Sequence, residues 1–143
     1  MIVVLDTDVV VAAVGSPSGA SRFLLREIGL GRVKAAASVP LLLEYEAVLK
    51  RPDILRRARG TVGDIDVILD HLAATLQPVP IWYLWRPQLR DANDDMVLEA
   101  AANAAATQLV TFNVRDFGKA PARFGIEVCR PADLVRRLRD GQE

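Results

Sequence analysis

Residues 1–5 (MIVVL) form an unbroken apolar run that stops at Asp6, inside Asp6-Thr7-Asp8. A second apolar end, Leu109-Val110-Thr111, is followed at once by Asn113 and Asp116. Continuous runs of this length read as strands buried on both faces, the kind found in parallel sheets. Elsewhere the spacing turns helical. Residues 9–14 predict a short helix, broken by Gly15-Ser16-Pro17-Ser18-Gly19. Phe23, Leu24 and Ile28 place apolar groups on one side of a helix over 20–28. A short strand over 35–37 leads to Ser38, a good N-cap, and a helix over 39–50. Further helices are expected over 64–76, over the alanine-rich 92–106 and over 132–139, with strands over 108–111 and 126–129. Residues 78–87, which include Trp82, Tyr83 and Trp85, read as irregular chain or an edge strand. Strands alternating with helices predict an α/β fold: one domain over residues 1–143, with a central parallel sheet flanked by helices on both faces.

Composition narrows the partners. Hydrophobic residues make up 51% of the 143-residue chain and charged ones 25%, which fits a packed globular domain and excludes disorder. The 18 basic and 18 acidic residues cancel, so nucleic-acid contact needs a local basic patch rather than a global field. Lys50, Arg51, Arg56, Arg57 and Arg59 form one basic run. The single cysteine, Cys129, permits neither an internal disulfide nor a thiolate metal cage. The first residues carry no basic leader or cleavage signature, and no apolar run approaches a membrane span. The expectation is a cytoplasmic protein without a membrane partner.

The acids carry the chemistry. Ligands of parallel sheets gather at the carboxyl ends of the strands. Acids from distant stretches are thereby expected to meet there, and crowded carboxylates persist where a hard cation such as Mg²⁺ or Mn²⁺ offsets their repulsion. Asp6 ends a buried strand, where a charge needs a partner; capping of the next helix accounts for the residue type but not for its buried approach. Asp8 is expected to cap or to assist from outside. Glu44 flanks the stripe formed by Leu41, Tyr45, Val48 and Leu49, whereas Glu46 points further toward solvent. In Asp91-Ala92-Asn93-Asp94-Asp95 negative charge suits a helix start. Val97, Leu98, Ala101 and Ala105 follow Asp94 on one face, which favours Asp94 as the metal-facing acid over its rivals Asp95 and Asp91. Thr111 is placed to orient a ligand or water, and Asn113 and Asp116 to complete a polar shell, although Asn and Asp also build turns. His71 falls mid-helix, away from the acids.

Taken in order, residues 2–8 (IVVLDTD), 38–49 (SVPLLLEYEAVL), 90–101 (RDANDDMVLEAA) and 109–117 (LVTFNVRDF) resemble the PIN domain, the nuclease fold typified by VapC toxins of bacterial toxin–antitoxin pairs. The resemblance runs from residue 2 to about 134, and four motifs in order are far more specific than any one alone. It implies a Mg²⁺- or Mn²⁺-dependent endoribonuclease in which Asp6, Glu44, Asp94 and Asp116 are the four acids, with Asp95 as a rival metal ligand. It also implies an antitoxin partner and a homodimer, formed through helices over 41–59 and 64–76 that carry surplus apolar side chains, among them Leu42, Leu43, Ile54, Leu55, Ile65, Ile68, Leu69 and Leu72. Many relatives carry Asp where this chain has Asn113, which leaves the fourth acid to Asp116. Phosphate contacts are expected from Lys50, Arg51, Arg115 and Lys119.

Two other readings compete. Asp6-Thr7-Asp8-Val9-Val10 fits the nucleophile motif of haloacid-dehalogenase-type phosphatases, with Asp6 attacking phosphorus. The order is wrong for that family, because Asp94-Asp95 precede Thr111 rather than follow it. A catalytically inactive PIN module that only binds a partner protein is the other, kept open by Asn113.

Overall fold

The computed structural model describes residues 1–58, 60–82 and 89–141. Arg59 of the basic run, and Tyr83 and Trp85 of the irregular stretch, lie outside the described residues. The first apolar run is β1 (Ile2–Leu5), whose Val3, Val4 and Leu5 are fully buried. Four further strands, β2 (Lys34–Ala37), β3 (Gln77–Pro78), β4 (Gln108–Val110) and β5 (Glu127–Cys129), pair with it in the order β3-β2-β1-β4-β5. Every pairing is parallel.

The helices are α1 (Thr7–Gly15), α2 (Ala20–Gly29), α3 (Val39–Leu49), α4 (Pro52–Ala58), α5 (Val62–Thr75), α6 (Ala92–Asn103) and α7 (Pro131–Arg139). The order steps outward from β1 to β3 and then jumps to β4 on the other side of β1. With right-handed crossovers, the helices before and after that jump fall on opposite faces of the sheet. On one side α1 packs on α2 and α2 on α7; α6 packs against β1, β2 and β4. None of the described helices is long and apolar enough to cross a membrane.

Helix starts follow local chemistry. Ser38 accepts the Leu41 N–H at 3.2 Å, and Thr61 with Asp64 forms a reciprocal capping box at the start of α5. The helix expected over 39–50 is α3, and the helical stretch beyond it is a separate short helix, α4. Pro52 lacks an N–H and bars the helical conformation just before it, so α3 ends at Leu49 and α4 restarts at Pro52. The helix expected to reach 106 stops at Asn103. There the Ala106 N–H reaches back to Ala101 O and the Ala105 N–H to Ala102 O, with Ala105 at φ 52°. This left-handed closure turns the chain into β4, only a few residues away.

The strand order reverses between β1 and β4. In sheets of this kind the ligand crevice opens beyond the carboxyl ends of the two strands at the reversal. Here those ends are Leu5 and Val110, so Asp6 and Thr111 are the first residues past the edge.

Candidate metal centre at the β1–β4 edge

Asp6 is held from both sides. Its backbone N–H donates to Val110 O at 2.8 Å, which ties it to β4. Its Oδ1 accepts the Thr7 N–H at 2.7 Å as the N-cap of α1, and its Oδ2 accepts the Thr111 hydroxyl at 2.7 Å. Capping therefore occupies only one of its two oxygens, and the other faces Thr111. Burial pushes the Asp6 carboxyl above the ordinary carboxylate range against the pull of those hydrogen bonds, and the charges of Asp91 and Asp116 push it further.

Thr111 is fully buried and organises the edge. A hydroxyl has one proton to give, and the 2.7 Å approach to Asp6 outcompetes the 3.5 Å approach to Asp8. The same oxygen accepts the Asn113 N–H at 3.0 Å. Asp8 is better engaged than its expected capping role: Oδ2 accepts the Phe112 N–H at 3.1 Å and Asn113 Nδ2 at 3.2 Å. Its Oδ1 is buried with no hydrogen-bond partner. Burial, then the Asp6 charge, push Asp8 up to about 6. Asn113 thus acts as a donor to Asp8, where a carboxylate would repel it.

Asp94 stands half-buried in the first turn of α6. Burial first, then the charges of Asp6, Asp91, Asp116 and Asp8, push its carboxyl up to about 6. Asp91 caps α6 by accepting the Asn93 N–H at 2.8 Å, and Asp116 is exposed on the 3₁₀ turn Val114–Phe117. A cleft of about 640 Å³ is lined by Asp91, Asp94 and Asp116 together with Arg90, Arg115, Lys119 and Arg123. Arg115 and Lys119 thus share this cleft with three of the acids. Arg90 carries a usable signal in its place beside Asp91, whereas nothing in the sequence points to Arg123. Among the described residues no three acids, histidines or cysteines are drawn close enough to grip one ion as they stand. Asp6 and Asp8 do not line this cleft, but their charges act on Asp94 at its wall, and those of Asp91 and Asp116 act on Asp6.

Other expected residues sit differently. Asp95, expected to be turned off the buried stripe, is more buried than Asp94, and so is Glu99. The stripe widens because α6 also packs against α3 and the 3₁₀ turn Pro121–Phe124. Asp95 Oδ1 accepts the Leu89 N–H at 3.0 Å, which anchors the chain entering the helix. Glu44 is half-buried on α3 and is not among the main charges acting on Asp6, Asp8 or Asp94. Its neighbour Tyr45, fully buried, donates its hydroxyl to Leu5 O at 2.5 Å and so braces the last residue of β1; sequence reading placed it only in the core stripe. Lys50 is paired with Asp66 at 2.8 Å and Glu46 at 3.5 Å, and Arg51 is exposed where α3 ends; neither lines the cleft.

A family model described as PIN domain matches residues 2–115, which carries all of β1 to β4 and the acids other than Asp116. That match replaces the phosphatase reading of Asp6. In fold, the chain is similar to a crystal structure of VapBC2 from Rickettsia felis bound to a DNA fragment from their promoter, at 19% identity and a TM-score of 0.61. The similarity covers 91% of this chain and 98% of that one. No curated protein matches the sequence. With four-fifths of its length matched by the family and the acids gathered at the sheet's reversal point, the chain belongs to the PIN-domain family.

Proposed function

We propose that the protein is a metal-dependent endoribonuclease, the toxin of a type II toxin–antitoxin pair acting in the cytoplasm. The observation that carries this reading is the convergence of Asp6, Asp8 and Asp94 at one sheet edge, each raised by burial and by its neighbours' charge. Such a set is unfavourable unless a cation joins it. The donor chemistry fits a hard ion: all oxygen, with Asp8 Oδ1 buried and unpartnered. Asp6, Asp94 and Asp116 would hold Mg²⁺ or Mn²⁺, with Asp8 and Asn113 in the outer polar shell and Glu44 as the fourth acid that the PIN resemblance implies. When bound, such an ion lowers the pKa of water and offsets charge on the phosphorane-like transition state.

The chain's own residues do the rest. Thr111 fixes the Asp6 carboxylate by its hydrogen bond and Asn113 fixes Asp8, so the acids are oriented before substrate arrives. Arg115 and Lys119, with Arg90, bring positive charge to the cleft that the acids line, where they bind and orient the phosphodiester.

An antitoxin partner is proposed on the PIN assignment and on the VapBC2 likeness in fold. Val67, 70% exposed on α5, stands at a groove of about 420 Å³ formed with Leu25 of α2 and Val14 of α1, and an apolar segment of a partner would cover it. The expected result is cleavage of RNA in Mg²⁺ or Mn²⁺ that EDTA abolishes, without a phosphoryl or fluoroberyllate adduct on Asp6. An adduct, or cleavage that persists in EDTA, contradicts it.

A further inference from the structure

A second cleft of about 520 Å³ lies between α7 and the start of α2, apart from every acid discussed above. Three arginines line it, Arg26, Arg136 and Arg139, against the single carboxylate Asp140. Arg139 lies over the Phe23 ring at 5.1 Å, and Arg136 makes only a long, exposed approach of 3.9 Å to Asp133. Among the described residues neither Arg26 nor Arg139 has an ion-pair partner. On a chain whose charges sum to 0, such local segregation is a feature to explain. Guanidinium groups offer planar paired donors that match phosphate, and an arginine flattened on an aromatic ring is held ready for it.

The groove also has the right origin. Thr111 N–H donates to Cys129 O at 2.9 Å, so β5 ends beside Thr111, and α7 opens two residues later at Pro131. The helix leaves the sheet edge that carries the acids. The cleft follows it from Ala132 to Arg139, about 10 Å of helix at ~1.5 Å per residue. A centre rich in carboxylates repels a polyanion, and Lys50 of the basic 50–59 run is already paired.

We propose that the Arg26–Arg136–Arg139 groove is a phosphate-backbone subsite that holds a single RNA strand extending beyond the acid cleft. This rests on the ribonuclease reading. The full chain is titrated with a short labelled single-stranded RNA in EDTA over a range of salt concentrations, and cleavage in Mn²⁺ is measured separately. The double variant Arg136→Gln/Arg139→Gln is expected to weaken binding and to flatten the slope of log affinity against log salt by about 1.4, or ~0.7 for each phosphate no longer neutralised. Arg136→Gln alone, which keeps the Phe23 stack, should give about half that change, and Lys34→Gln at the amino end of β2 should give none. Wild-type slopes in both arginine variants would overturn the proposal, and continued cleavage in Mn²⁺ would show that the nuclease reading stands without it. Equal losses in the Lys34 control would reduce the effect to net charge and overturn it too. So would failure of the wild-type protein to bind RNA in EDTA. Variant-specific loss of binding with no wild-type cleavage would keep the subsite and sink the nuclease.

Discussion

Asp8 and Asp94 share one electrostatic predicament: each is half-buried beside other carboxylates, and both are pushed up to about 6. An aspartate in the unfolded chain titrates near ~3.9. Between those values the folded protein holds protons that the unfolded chain has released. The stability these groups confer is therefore complete below about pH 4 and is lost as pH rises through about 6. In EDTA, melting temperature should fall across that window, over and above the trend set by the remaining groups. Asp94→Asn, which removes one of the repelling charges, should flatten the fall. Mn²⁺ should raise the melting temperature of the wild-type protein most above pH 6, because it binds the ionised acids of the folded state only. A melting temperature in EDTA that is indifferent to Asp94→Asn at pH 7 would contradict the crowding argument. At this scale, Asp6, Asp94 and Thr111 were legible because each sits at the end of an apolar pattern. The depth of Asp8 and the anchoring duty of Asp95 were not. Both depend on backbone N–H groups, Phe112 and Leu89, whose positions are set by distant chain.

At the scale of elements, the closure of α6 stores strain that can be relieved. Ala105 adopts φ 52°, a conformation that costs a residue with a Cβ about 1 kcal/mol and glycine almost nothing. Ala105→Gly should stabilise the protein by about that amount, raising the melting temperature by about 3–5 °C for a chain of this size. A lower melting temperature would show that the Ala105 methyl gains compensating packing. The same closure explains why helical spacing over 92–106 overran: alanines continue a helix by propensity, and only the tertiary demand to enter β4 stops it. Helix starts were easier to read, since Ser38 and Asp91 announce themselves by side-chain chemistry. The end of α3 was equally legible, because the helical spacing expected over 39–50 stops just short of Pro52. Tyr45 shows the opposite limit. Its place in the core stripe was plain, but its hydrogen bond to the end of β1 follows from packing that no spacing reveals.

For the whole molecule, strand order determines where chemistry collects. The reversal between β1 and β4 draws acids from residues 6, 94 and 116 toward one edge. The parallel α/β class was legible from alternation alone, but the order β3-β2-β1-β4-β5 was not, because it depends on which crossover packs on which face. Assembly is the matching question. Of the apolar residues expected at an interface, Ile54, Ile65 and Leu72 are buried within their own chain, whereas Leu43 is 59% exposed, with Val39 at 64% on the same helix. These α3 side chains make a smaller patch than the sequence suggested. Light scattering is expected to show a dimer that Leu43→Glu dissociates; a wild-type monomer at tens of micromolar would contradict that. The acids at the β1–β4 edge would hold a divalent ion for RNA hydrolysis, and the most direct test is the RNA cleavage rate in Mn²⁺ for the wild-type chain beside Asp6→Asn and Asp94→Asn. Both variants should fold and lose on the order of 100-fold or more in rate, the equivalent of about 3 kcal/mol of lost charge stabilisation. Cleavage by either folded variant at the wild-type rate would contradict the account.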